Sequence, residues 1–332
     1  MRLPTEIIIH IFQNCLSEFT YPSALQAPLL LTGVCRRWRE VAVNMPSLWC
    51  RLSVMVALSS SWRPQASGYD LWLKRSRGYP LSLALFCNNR DAIKMQRLLR
   101  PYVNQILSLR LTFYEGTTLP ELLLDNLPAL QELAILQGAH DSNVEVLAIG
   151  HSIPRVPSTV RSLKIVDRFF HTVPLTSFGP VAAHLTYLDI STLRYPSAVL
   201  QLLHLCPSLA SLKITVTFYY GEPLVFRPFT HPKIQMFHIS HGSFDAQNLS
   251  ALVEALSFPS LRVLEDHLID IGGPPCRRPH KQWKAFLARS KCPLETLIFS
   301  GWKTPTVTDV EEAEYIALIP SLEIQVVDPS TI

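Results

Sequence analysis

The chain has 332 residues but only 12 glycines, 5 methionines and no long apolar run. No G-x-x-x-x-G-K-[ST] and no G-x-G-x-x-G occurs, so a phosphate cradle has no candidate. No G-x-S-x-G nucleophile turn and no H-E-x-x-H pair occurs either, and no catalytic residue, cofactor or metal is expected. Ile7–Ile11 and Leu29–Leu31 are short and interrupted, far from the roughly 18 apolar residues of a membrane span. Pro4, Glu6 and His10 stand where a signal peptide needs an unbroken apolar core. Charge of one sign is lacking too. The net charge is +4, the basic residues are dispersed, and no nucleic-acid partner is expected. The seven cysteines, Cys15, Cys35, Cys50, Cys87, Cys206, Cys276 and Cys292, include no C-x-x-C pair. An odd, scattered set reads as reduced thiols in a cytoplasmic or nuclear protein.

What the chain does contain is apolar and ordered in pattern. Hydrophobic residues make up 48% and charged residues 17%, a composition that folds. The length leaves room for two units or one long repeat array. At the N-terminus Pro4 suits a first helical turn, and Glu6 complements its dipole. Ile7, Ile8, Ile11 and Phe12 follow at helical spacing. A second amphipathic helix is predicted with Val34, Trp38 and Val41 on one face and Arg36, Arg37, Arg39 and Glu40 mostly on the other. About fifty residues bury only a modest core. Apolar faces this rich can pack on the rest of the chain or on a partner.

The block Leu3-Pro4-Thr5-Glu6-Ile7, the block Val34-Cys35-Arg36-Arg37-Trp38-Arg39 and the closing Pro46-Ser47-Leu48-Trp49 resemble an F-box. The resemblance is to the F-box proteins abundant in mushroom-forming (basidiomycete) fungi and covers residues 1–52. It implies a three-helix module that docks on a Skp-type adaptor, and through it on a cullin–RING ubiquitin ligase. The adaptor-binding residues it implies are Leu3, Pro4, Ile7, Ile11, Val34, Trp38, Leu48 and Trp49. The departure is Ser17–Pro28, longer than the usual connection and carrying Pro22 and Pro28.

Residues 53–78 read as a linker with a short helix, broken off by Ser59, Ser60, Ser61 and Pro64, started by Ser67 and ended by Gly78. From Tyr79 onward a word repeats: apolar-x-x-apolar-x-apolar. It stands at Ile106/Leu109/Leu111, Leu130/Leu133/Ile135, Val160/Leu163/Ile165, Leu185/Leu188/Ile190, Leu209/Leu212/Ile214, Ile234/Phe237/Ile239 and Leu294/Leu297/Phe299. A partial copy stands at Leu261/Leu264 and a shifted one at Leu322/Ile324/Val326. The recurrence, about every 25 residues, is the period of leucine-rich repeats. Each copy predicts one short strand, and Asp91–Val103, Ser197–Cys206, Ala246–Leu256, Lys281–Ser290 and Asp309–Leu318 predict intervening helices. Pro128, Pro157, Pro207, Pro232, Pro259 and Pro320 mark the joins into the strands. The resemblance to leucine-rich repeats covers residues 79–332 loosely, because the Asn or Cys after the third apolar position is mostly absent. Thr217 follows Ile214, and Arg168 follows Ile165. The fold class expected is therefore α/β: a small helical F-box, then an irregular solenoid of strand plus helix or loop.

Other features have plain readings. Gly272-Gly273-Pro274-Pro275 is a turn signal. His231, His238 and His241 lack the further ligands a metal needs. Cys276-Arg277-Arg278-Pro279-His280-Lys281 reads as a solvated basic loop, and Asp309, Glu311, Glu312 and Glu314 as the exposed acidic start of a helix. Tyr219, Tyr220, Phe226 and Phe229 pack under a loop or anchor a partner. The function expected is the substrate-recognition subunit of an SCF-type (Skp–cullin–F-box) ligase, with an unknown client protein on the repeats and no chemistry of its own. The alternative is a protein-binding repeat scaffold whose degenerate F-box has no ligase link.

Overall fold

Helix α1 spans Thr5–Asn14 and starts directly after Pro4. Its apolar residues divide: Ile8 and Phe12, one turn apart, are buried, while Ile7 faces out and Ile11 is half-buried. The second predicted helix is two helices. α2 (Leu29–Val34) ends where Cys35 turns extended, and α3 (Arg36–Val43) begins beyond it, capped by the Cys35 Sγ on the Trp38 N–H. Val34 therefore does not share a helix face with Trp38. Arg39 Nε ties α3 back to the Thr32 carbonyl (2.8 Å), and Trp38 packs edge-on to Phe12.

The computed structural model describes residues 3–55, 62–87, 92–113, 124, 126–137, 153–166, 175–218, 226–242, 246–269, 278–301 and 307–327. Two units are resolved, residues 1–160 and 161–332. Ser59–Ser61, Tyr219, Tyr220, Gly272–Pro275, Cys276 and Arg277 lie outside the described residues.

In the first unit, strands β1 (Arg51–Met55), β2 (Leu81–Cys87), β3 (Ile106–Phe113) and β4 (Glu132–Gln137) pair in parallel, in chain order. The first strand lies inside the stretch read as F-box end and linker. The linker itself holds a fourteen-residue helix, α4 (Trp62–Arg75), which starts five residues before Ser67 with Pro64 in its first turn. Trp72 of α4 donates from Nε1 to the Trp49 carbonyl (3.1 Å) and meets the Trp49 ring at 5.0 Å, and Arg75 lies over that ring. Tyr102 donates to Asp70 (2.8 Å); burial and that carboxylate push its phenol up to about 12. Residues 92–105 are helical as read, Ala92–Leu99 (α5) running into a tighter turn over Arg100–Gln105.

In the second unit, β5 (Ser162–Val166), β6 (Tyr187–Leu193), β7 (Ser211–Val216), β9 (Met236–His241), β11 (Val263–Leu268), β12 (Thr296–Gly301) and β13 (Glu323–Val327) form a parallel ladder. β8 (Phe229–Thr230) and β10 (Leu256–Ser257) make a separate pair. The intervening helices are α6 (Pro196–Leu205), α7 (Ala246–Ala255), α8 (His280–Ser290) and α9 (Asp309–Leu318). Thr308 and Glu311 close a capping box at the start of α9.

The repeat word becomes two buried rows. Leu163, Leu188, Leu212, Phe237, Leu264 and Leu297 stand in register, and so do Ile165, Ile190, Ile214 and Ile239. The prolines explain how the joins into the strands close. Pro128, Pro207, Pro259 and Pro320 each sit at the second position of a tight turn, closed by Leu130, Leu209, Leu261 and Leu322 donating to the carbonyl three residues back. Proline presets the backbone angle that position needs. Hydroxyls join neighbouring joins: Thr159 to the Leu130 carbonyl (2.7 Å) and Ser260 to the Pro232 carbonyl (2.6 Å).

Candidate functional site

The eight residues expected to meet an adaptor separate into three groups. Leu3, Ile7 and Val34 are 49%, 47% and 56% exposed, and Pro4 is exposed with them. Ile11 and Trp38 are half-buried. Leu48 and Trp49 are fully buried, so they are core and not contact surface. The Trp49 Nε1–H donates to the Ala42 carbonyl (2.9 Å), which fixes the turn Pro46–Trp49 against α3. Their role is to hold the helices that carry the exposed set. Leu30, one turn before Val34 on α2, is 45% exposed and joins that set; its i, i+4 spacing to Val34 was the available signal. Two apolar pairs thus face solvent, Leu3 just before α1 with Ile7 on it, and Leu30 with Val34 on α2. A separate open groove of ≈ 610 Å³ lies between α1 and α3, lined by Thr5, Ile9, Arg37, Val41, Met45 and Tyr79 among others.

The outward face of the second unit's strands is polar. One registered row reads Lys164, Asp189, Lys213, His238, Glu265. Lys164 pairs with Asp189 (2.7 Å) and His238 Nδ1 with Glu265 (2.6 Å). The His238 hydrogen bond holds the Glu265 carboxyl below its ordinary value. His238 Nε2 meets Ser240 Oγ at 2.8 Å, so Ser240, His238 and Glu265 stand in the hydrogen-bond order of a nucleophile relay. β9 is paired on both sides, however, so its own N–H groups are spent on the ladder and offer no oxyanion donors. The arrangement is a polar ladder. Beside it His267 Nδ1 meets Ser300 Oγ (2.7 Å), and burial lowers the His267 pKa.

The partial repeat has a specific cause. The third apolar position after Leu264 is occupied by Asp266, fully buried between Ile239 and Phe299 of the neighbouring strands. His241 Nε2 (2.8 Å), Arg278 Nη1 (3.1 Å) and Trp283 Nε1 (2.9 Å) all converge on its carboxylate. Burial opposes ionisation, and the His241 and Arg278 charges with these hydrogen bonds outweigh it, so Asp266 titrates well below the usual carboxylate range. Arg278 is therefore not part of a solvated loop. It bonds the Asp266 carbonyl (2.6 Å) and lies over the Phe299 ring. His280 is half-buried against Tyr315 (3.0 Å).

The three clustered histidines go to three places: His231 to the Cys206 carbonyl (3.0 Å), His238 to Glu265, His241 to Asp266. Among the described residues no group of three or more His, Cys, Asp or Glu is placed to hold a metal. Cys15, Cys35, Cys50, Cys206 and Cys292 are free thiols. Phe229 packs against the His204 ring at 4.1 Å, and Glu314 pairs with Lys284. No helix among the described residues is long and apolar enough to cross a membrane.

Residues 1–55 match the F-box-like family. The chain joins an F-box-like module to leucine-rich-repeat architecture. No curated protein matches it. Among solved structures, the leucine-rich repeat-containing protein LegL7 from Legionella pneumophila is similar at 13% identity over 84% of this chain and 90% of that one, with a TM-score of 0.46. The exposed apolar residues Leu3, Ile7, Leu30 and Val34 fall within the matched residues.

Proposed function

We propose that this chain is the substrate-recognition subunit of an SCF-type ubiquitin ligase. The observation that carries the reading is the F-box-like match over residues 1–55 together with apolar side chains left in solvent on α1 and α2. Leu3, Pro4, Ile7, Leu30 and Val34 form the adaptor contact, with the edges of Ile11 and Trp38 beside them. Leu48 and Trp49 hold the module's shape. The outward strand face of the repeats takes a client protein through polar contacts. The chain makes and breaks no bond itself. It works by tethering, which raises the local concentration of client near the transfer machinery. The compartment is cytoplasmic or nuclear, in keeping with the free thiols.

The test is reconstitution. Full-length chain, purified Skp-type adaptor and cullin–RING partner are mixed and passed over a sizing column. Co-elution of all components supports the reading. A folded chain that elutes apart from the adaptor contradicts it and favours the scaffold alternative, in which the helices serve only the chain's own packing.

A further inference from the structure

The long connection between α1 and α2 lies on the repeats. The Ser53 N–H donates to the Thr20 carbonyl (2.9 Å). Tyr21 packs on Phe86, with ring centroids 5.9 Å apart. The Arg110 guanidinium sits 4.3 Å from the centre of the Phe19 ring and bonds Glu18 at 2.9 Å. Ser53, Phe86 and Arg110 belong to β1, β2 and β3, and all occupy outward positions. The register sets Ser53, Ala84 and Arg110 in one row, with Met55 and Phe86 in the next. Ser53 is 1% and Ala84 2% exposed, and Thr20 above them is buried as well.

The seal is imperfect in one respect. Ser53 Oγ is buried with no hydrogen-bond partner among the described residues. An unpaired buried hydroxyl is costly, so the covered arrangement carries a penalty that uncovering relieves. Besides the buried Ser53–Thr20 backbone bond, the segment's contacts with the strands include an ion pair at the surface, a guanidinium–ring contact and a ring–ring contact. Glu18 is 74% exposed, so its pairing with Arg110 is screened by water.

We propose that Glu18–Tyr21 is an intramolecular strap. It covers the outward face of the first three strands, is held by the Ser53–Thr20 backbone bond and by Arg110, and lifts to uncover that face. The strap closes β1–β3 to a client until it is released, so a client first meets strands beyond β3. Calling the face a client surface rests on the reading above; the strap itself is tested without a client.

The experiment is thiol alkylation of the full-length chain with N-ethylmaleimide, read peptide by peptide so that the exposed Cys15 and Cys35 do not interfere. Ala84→Cys reports the covered row, and Ser211→Cys on the half-buried outward face of β7 is the reference. The strap predicts that Ala84→Cys reacts far more slowly than Ser211→Cys. Adding Arg110→Ala or, independently, Phe19→Ala speeds the Ala84→Cys reaction about tenfold, since each removes contacts worth about one decade in the opening equilibrium. The Ser211→Cys rate stays fixed, and an unchanged melting temperature of the first unit's transition shows that the variants remain folded. Equal rates at the two sites in the parent chain overturn the strap. So does a slow Ala84→Cys rate that neither variant moves, which makes the segment a fixed core layer. Adaptor binding is scored separately on the same proteins, so loss of the ligase reading leaves the strap standing, and loss of the strap leaves the ligase reading standing.

Discussion

The outward strand face is furnished differently in the two units. In β5 to β11 it carries Lys164, Asp189, Lys213, His238 and Glu265, and charges pair across strands at 2.7 and 2.6 Å. In β1 to β3 the corresponding row is Ser53, Ala84 and Arg110, and the single charge finds its partner in Glu18 of the α1–α2 connection. The first row pairs its charges across strands, with Asp189 and His238 buried and Lys164 still solvated. The row of Ser53, Ala84 and Arg110 has no such pair among the described residues, and the α1–α2 connection lies over it.

The comparison is broken most severely by moving attention to the inner row of the second unit, where the same charge chemistry is buried. Asp266→Leu removes the carboxylate that compensates Arg278 and should destabilise the chain by about 3–5 kcal/mol in a urea titration. Pairing it with Arg278→Met should recover much of that loss, because removing both ions spares the desolvation penalty. Asp189→Leu, on the outward row, should cost under about 1 kcal/mol, since Lys164 stays solvated. Equal costs at 189 and 266 would erase the distinction between the faces.

Next in size is Gly301→Ala. A Cβ there would stand 2.8 Å from Leu268 Cβ, 2.9 Å from its carbonyl and 3.2 Å from the Arg278 Nη2. Strand ends must then part around Arg278, at about 1–3 kcal/mol in the same titration. A smaller and gradual effect comes from acid. Burial lowers the pKa of His231, His267 and His280. The folded state therefore holds them neutral, while the unfolded chain takes up protons near about 6.5. The unfolded state binds more protons, so stability is present above that value and falls as pH drops through it. Asp266, also depressed, retains its contribution until the pH falls below the unfolded carboxylate value of about 3.9. A urea midpoint that is flat from pH 7 to 5 would contradict the histidine part. His231→Gln should shallow that slope slightly.

Most of the repeat was legible because its signal is local. Leu163, Leu188, Leu212 and Phe237 fall 24 or 25 residues apart in the chain and at one register in the ladder. Helices α6 to α9 were legible for the same reason, within one or two residues at their ends. β1 was hidden because its two inward residues, Leu52 and Val54, are too few to separate from the F-box block they follow. The start of α4 was misplaced because Pro64 reads as a breaker, yet it is tolerated within the first turn. The α2–α3 break was hidden because Val34, Trp38 and Val41 keep helical spacing across it; only Cys35, extended and capping, marks the boundary. Within the candidate site, sequence found the exposed Leu3, Ile7 and Val34 but could not tell them from the buried Leu48 and Trp49. Side-chain hydrophobicity is the same for a contact and for a core. Asp266 was visible only as a damaged repeat, since its partner Arg278 lies 12 residues on, in a stretch that looks solvated.

The most direct test of the account is a calorimetric titration of a purified Skp-type adaptor with the full-length chain and with Ile7→Asp/Val34→Asp. The account predicts binding near micromolar or tighter for the parent, weakened about thirtyfold or more by the pair of substitutions, with an unchanged melting temperature. A folded parent that gives no binding, or a substituted chain that binds as tightly as the parent, would contradict it.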